Sequence, residues 1–217
     1  SLAEIAADPR GTSAEAACLE QHLDDLIGHL EAERWSERKQ AALKRQREPG
    51  FWESPQRFAV FGMIEQIDRI EAGVAASSRV FRRLSGKTSA SRASFPAEQL
   101  GRLALRLLVL ETAVSDVEHS LPLDAFLMLE AKPSPDAPLS RSEAFLEKLA
   151  DMYRAWAARR GIKVEPLIDE RDAHSARIVF AVSGLAAHSL LEKETGLHVF
   201  EEPLEHGRSF SRRPVMV

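Results

Sequence analysis

From Phe58 onward the apolar residues Phe58, Phe61, Ile64, Ile67, Ile70 and Val74 recur every three or four positions, and the pattern runs on to about Leu84. That period puts them on one face of an α-helix. Ser54 followed by Pro55 supplies an N-cap and a proline at the first helical position. A helix of some 30 residues is roughly 45 Å long, too long to bury its apolar face alone in a compact fold. Such helices pack side by side, so this one segment commits the first half of the chain to a bundle.

Two further segments fit as partners. From Thr12 to about Gln46, Leu19, Leu23, Leu26, Ile27, Leu30 and Leu43 keep a helical spacing, and Thr12 with Glu15 forms a capping box at its start. A third helix starts near Pro96 and carries Leu100, Leu103, Leu107, Leu108, Val114 and Val117. Between the first and second lies REPGFWESP, where Pro49-Gly50 breaks the chain ahead of two aromatics. Between the second and third, GKTSASRAS (86–94) is small and polar and reads as an exposed loop. Residues 1–121 are therefore expected to form an antiparallel bundle of three long helices.

Near Leu121-Pro122 the texture changes. DAFLMLEA (124–131) reads as a short buried strand, and KPSPDAP after it as a proline-broken loop. Ser140 with Glu143 predicts a second capping box, opening a helix with Phe145, Leu146, Leu149, Met152, Tyr153 and Trp156 on one face. Trp156 is expected in the core. KVEPLIDE and ARIVFAVSG read as strands around the charged turn ERDAHS, then come a short helix, AAHSLLEKE, and a last strand, SFSRRPVMV. Residues 122–217 thus predict an α/β sandwich, and the whole chain an α+β protein.

Composition sets the function classes. No run approaches the roughly 18 apolar residues of a membrane span, and SLAEIAADPRG is no signal peptide. A lone cysteine, Cys18, excludes an internal disulfide and suits a reducing cytoplasm. The start at Ser and the end on VMV read as a piece of a longer protein. The net charge of −4 argues against a dedicated nucleic-acid binder. Locally the balance reverses: Arg34, Arg38, Lys39, Lys44, Arg45, Arg47 and Arg57 face only Glu33, Glu37, Glu48 and Glu53. Such a span is either a solvated helix face or a phosphate-binding one.

The order of several motifs carries a resemblance. GFWESPQRFAVFGMIEQIDRIEAG is similar to the helical N-terminal region of bacterial peptide-chain release factors of the UGA-reading type. LEKLADMYRAWAARRGIKVE resembles that family's PCRF region, with Met152, Tyr153, Trp156, Ala157, Arg160 and Gly161 in its helix-ending pattern. ETGLH resembles the family's Glu-Thr-Gly-x-His segment at Glu194, Thr195, Gly196 and His198. From the residues alone, Gly196 reads as the left-handed residue ending a helix, and His198 as a packing or surface histidine.

The departures are equally specific. Where the family has a Gly-rich acidic loop, this chain has Ala131-Lys132-Pro133-Ser134-Pro135-Asp136. Val199 stands where the family has arginine after the histidine, with Glu201 and Glu202 beyond it. PLEHGRSF occupies the place of the codon-reading Ser-Pro-Phe, and no Gly-Gly-Gln occurs in these residues. There is no phosphate loop, no cysteine pair and no His-Glu-x-x-His, and His188 with Glu192 supplies only two ligands.

The sequence therefore predicts a release-factor-like, ribosome-associated or adaptor domain of a longer protein, without codon-reading or peptide-releasing elements. The alternative is a protein-interaction module that kept the fold and left the ribosome. No catalytic residue, metal, cofactor, small-molecule substrate or membrane partner is expected. The expected partner is the ribosome (rRNA and ribosomal protein) or another protein. Candidate binding residues are Arg34, Arg38, Lys39, Lys44, Arg45, Arg47, Glu194, Thr195, Gly196 and His198.

Overall fold

The computed structural model describes residues 1–87, 94–133, 139–172, 174–203 and 210–217. The chain divides into two compact units, Ser1–Leu121 and Pro122–Val217. The first is helical among its described residues and the second builds a sheet, so the protein is α+β.

In the first unit the helices are α1 (Leu2–Ala7), α2 (Ser13–Glu31), α3 (Glu33–Arg45), α4 (Arg57–Lys87) and α5 (Ala97–His119), with a 3-10 turn at Phe51–Glu53. The expected first long helix is two helices, because Ala32 takes an extended conformation (ψ 141°). The bend brings Trp35 into the core at 4% exposure. Its indole N–H donates to the Glu71 carboxylate at 3.2 Å, and its ring meets His29 edge-on at 6.0 Å. Alanine gives no sequence signal of a break, since it is the best helix former.

Thr12 and Glu15 form the reciprocal cap: the Thr12 hydroxyl accepts the Glu15 N–H at 3.2 Å, and the Glu15 carboxylate accepts the Thr12 N–H at 2.9 Å. Backbone donors from Thr12 and then Arg10 hold the Glu15 carboxyl below its ordinary pKa. The core is drawn from α2, α4 and α5, with Leu19, Ile67, Ile70, Leu100, Leu107 and Leu110 fully buried. Phe58 and Phe61 leave that face: they are 67% and 36% exposed, while Val60 and Phe51 turn inward. Gly86 belongs to α4 rather than to a loop, and residues 88–93 of that expected loop lie outside the described residues.

Gly11 joins two connections. It has φ +77°, its carbonyl accepts the Phe95 N–H at 2.8 Å, and a Cβ there would strike the Phe95 carbonyl oxygen.

The second unit runs β1 (Ala125–Ala131), α6 (Leu139–Arg160), β2 (Lys163–Arg171), β3 (Ala176–Ser183), α7 (Ala187–Leu191), a 3-10 turn (Glu192–Glu194), β4 (Leu197–Pro203) and β5 (Phe210–Met216). The five strands form one sheet of order β2-β3-β1-β5-β4, with antiparallel pairing throughout. Pro166 lies where the β2 register shifts, on an edge strand that tolerates its missing N–H. On the inner face Leu127, Leu129, Ile178, Phe180 and Val182 pack with Leu146, Leu149, Tyr153 and Ala157 of α6.

The helix face is rotated from the expected one. Met152 is 46% exposed, and Trp156 is half-buried at the edge of the core, with the Arg160 guanidinium 4.8 Å from its ring centre. The helix also starts at Leu139, so Ser140 sits inside its first turn. The Ser140 side chain, and with it the capping box, lies outside the described residues.

The other face of the sheet departs from the usual pattern. Antiparallel sheets with one solvated face normally alternate apolar-in and polar-out. Here Phe126 (77% exposed), Met128, Leu197, Val199 and Met216 point outward. β1, expected as a buried strand, is central in the sheet yet covered on one side only.

Candidate functional site

The turn between α7 and β4 is built by contacts that link two separate motifs. Tyr153 on α6 is buried, and its hydroxyl donates to the Glu194 carboxylate at 3.2 Å. Burial foremost, and then the negative Glu194, raise the Tyr153 phenol well above its ordinary pKa. The Glu194 carbonyl accepts the His198 ring N–H at 2.9 Å, closing the turn from the other end. Thr195 is extended and exposed and stands at the bend.

Gly196 follows Thr195, the C-cap of the 3-10 turn that continues α7, so it ends that helical run as expected and leads into β4 with φ +151°. It exchanges two backbone hydrogen bonds with Val217, each 2.9 Å. Glycine is needed there because an L side chain is strained at that φ. Glu194, Gly196 and His198 thus hold helix, turn and sheet end together. Nucleophile and base are not paired here, and the chemistry is that of a structural joint.

Beyond the turn, β4 and β5 neutralise one another. Glu201 pairs with Arg212 at 2.8 Å and Glu202 with Arg213, across one antiparallel ladder. The Arg213 guanidinium also lies 5.5 Å from the Phe200 ring centre. The basic residues of β5 are therefore engaged within the hairpin. The segment 204–209, expected in place of the codon-reading loop, lies outside the described residues.

The basic span splits into two sets. Arg38 donates to the Glu118 carbonyl at 3.1 Å and to the Val117 carbonyl, which also accepts the Ser120 N–H, and so caps the end of α5. Lys39 bridges Asp68 at 2.8 Å and Glu71 at 2.7 Å, and these carboxylates, Asp68 first, raise its pKa. Arg34, Lys44, Arg45 and Arg47 are exposed and make no ion pair with another described residue.

Beside the second set lies a cluster that spacing alone concealed. Trp52 is 66% exposed and packs on Phe51 and Phe61 at ring-centre distances of 5.6 and 5.7 Å. The Arg57 guanidinium donates to the Trp52 carbonyl and lies 4.5 Å from the Phe58 ring centre. An open cleft lined by Arg45, Glu48, Phe51, Ser54 and Val60 adjoins it. The signal available in the sequence was the Phe-Trp pair after Pro49-Gly50, where a breaker exposes the residues next to it.

Among the described residues no three His, Cys, Asp or Glu side chains gather in metal-binding range, and no helix is long and apolar enough to cross a membrane.

Residues 140–201 match the family model of the PCRF domain, less than a third of the chain. The second unit therefore contains a segment similar to the PCRF domain, and the Tyr153–Glu194 bond joins two points inside the matched segment. Among solved structures, the chain is similar to RF2 of Thermus thermophilus, at 17% identity and a TM-score of 0.36. That alignment covers 89% of this chain and 56% of the other, so the chain spans little more than half the length of that structure. No curated protein sequence matches it.

Proposed function

We propose that this chain is a release-factor-like domain that associates with the ribosome, or serves as an adaptor there, within a longer cytoplasmic protein. The observation that carries the reading is the PCRF match over residues 140–201, with its two motifs bonded to each other through Tyr153 and Glu194. The resemblance of its motifs is to the UGA-reading type. Peptide release by this family needs Gly-Gly-Gln, which does not occur in these 217 residues. Decoding needs side chains that meet bases, and Ser-Pro-Phe is likewise missing from the sequence. These residues therefore neither read the codon nor hydrolyse the ester, and act without a cofactor or a small-molecule substrate.

Ribosome affinity then comes from charge. The unpaired cations Arg34, Lys44, Arg45 and Arg47 neutralise phosphates, and binding falls steeply with salt. Ribosome pelleting at low and high salt, with a stop or a sense codon in the decoding site, tests this. Weak, salt-sensitive, codon-blind binding without peptide release is the expected result. Binding that follows the codon overturns the claim of lost decoding.

A second reading, that of a protein-interaction module, is favoured by the apolar outer sheet face around Phe126 and Leu197. The cross-strand neutralisation of Arg212 and Arg213 by Glu201 and Glu202 also favours it. Absence of ribosome binding at low salt selects it.

A further inference from the structure

Exposed apolar surface rimmed by polar residues marks an interaction site. At the junction of α3, the 3-10 turn and α4, Trp52 and Phe58 are 66% and 67% exposed, and Phe61 is 36% exposed. The Trp52 ring is held edge-on against the buried Phe51 (interplanar angle 85°) and tilted 45° to Phe61. Its backbone is fixed as well, because its carbonyl accepts from Arg57. The rings are thus pre-positioned, and little ordering entropy is left for a ligand to overcome.

Charge accompanies them. Arg45 lines the adjoining cleft, Arg47 lies two residues on, and Arg57 stacks on Phe58. None of Arg45, Arg47 and Arg57 forms an ion pair with another described residue. From residue 45 to 57 the chain carries Arg45, Arg47 and Arg57 against Glu48 and Glu53, a small positive excess in a chain whose net charge is −4. Exposed aromatic faces and positive charge beside them are the two components that bind single-stranded nucleic acid without sequence readout.

We propose that this aromatic and basic patch binds a single-stranded RNA segment, bases stacking on Trp52 and Phe58 and phosphates meeting Arg45, Arg47 and Arg57. The inference deepens the ribosome-associated reading and rests on it for the source of the strand. Codon identity plays no part, because stacking accepts every base. Glu48, which faces the same cleft, opposes the phosphates and sets the affinity low.

The test uses the whole 217-residue chain and a labelled oligoadenylate about ten nucleotides long, roughly the site size of such platforms. Binding is followed by anisotropy at several salt concentrations, with inorganic polyphosphate as the competitor that carries charge without bases. Trp52→Ala should weaken oligonucleotide binding about tenfold to a hundredfold. It should leave the salt dependence and polyphosphate binding unchanged. Trp52→Phe should recover most of the loss, which separates stacking from misfolding. Arg47→Gln should weaken both ligands and lower the salt slope by about 0.7. Glu48→Gln should strengthen both.

Equal binding by wild type and Trp52→Ala overturns the proposal. So does preferential capture of an acidic peptide that the oligonucleotide fails to displace, which makes the patch a protein dock. Ribosome pelleting that persists while oligonucleotide binding is absent overturns the stacking proposal and leaves the ribosome-associated reading standing. Oligonucleotide binding without ribosome pelleting supports the stacking site and removes that reading.

Discussion

Tyr153 differs from phenylalanine by one oxygen, and that oxygen links two sequence motifs about forty residues apart through Glu194. A hydrogen bond to a charged group contributes more than a neutral one, but the half-buried Glu194 can be partly rehydrated. Tyr153→Phe is therefore expected to cost about 1–2 kcal/mol in urea unfolding. The raised phenol pKa adds a pH signature. The folded state holds the Tyr153 proton more tightly than the unfolded state. Its contribution is fully present below the ordinary phenol value of about 10 and is lost as pH climbs above it. The wild type should lose stability above that pH more steeply than Tyr153→Phe does, and equal slopes would show that burial beside Glu194 does not hold the phenol proton. On the same helix, Leu146→Ala should cost about 2–5 kcal/mol, since that side chain is fully buried. Half-buried Trp156→Ala should cost less. Three- and four-residue spacing found the helix but misjudged its rotation, because Met152, Tyr153 and Trp156 are all apolar enough to belong inside. For His198 the sequence left packing and surface roles open, and the carbonyl it bonds was not legible.

The helical elements show where spacing fails. Nothing in GHLEAERWS announces a break at Ala32, because the reason for it lies outside the segment: Trp35 must reach Glu71 on α4. The same non-local logic divides the cations. Arg38 caps the end of α5, so Arg38→Ala should destabilise the first unit by about 1 kcal/mol in thermal or urea melts. Lys44→Ala should stay within about 0.5 kcal/mol, as exposed sites do. Equal effects of the two would mean that the span is not divided as described. Gly11→Ala should cost more than about 1 kcal/mol, because both its φ and the Phe95 carbonyl exclude a Cβ. In the sheet, strand existence followed from short apolar runs, whereas the order β2-β3-β1-β5-β4 depends on pairings far apart in sequence. The outward Phe126 and Met128 were hidden for another reason: an uninterrupted apolar run looks the same whether one face is covered or both.

Taken whole, the chain is two units with their own buried clusters, and the change of periodicity near Pro122 made that division legible. Residues 1–121 and 122–217, produced separately, should each unfold cooperatively, reported by Trp35 in the first and Trp156 in the second. A featureless melt of either piece would count against independent cores. The second piece carries the apolar sheet face, so its apparent mass in sedimentation should rise with concentration. Phe126→Lys should suppress that rise without changing the melt.

The apolar sheet face also has a chemical vulnerability. Met128 and Met216 stand exposed on adjacent strands of it, 45% and 47% accessible, while Met152 is exposed to a similar 46% on α6. Peroxide converts accessible thioethers to sulfoxides, turning an apolar surface polar. Oxidation of the first pair therefore erodes the very face on which a partner would sit, and a partner in place shields it. Met152 serves as the internal clock. The ratio of sulfoxide at Met128 and Met216 to that at Met152, read by mass spectrometry in a cell extract, reports whether that face is occupied before any partner has been identified.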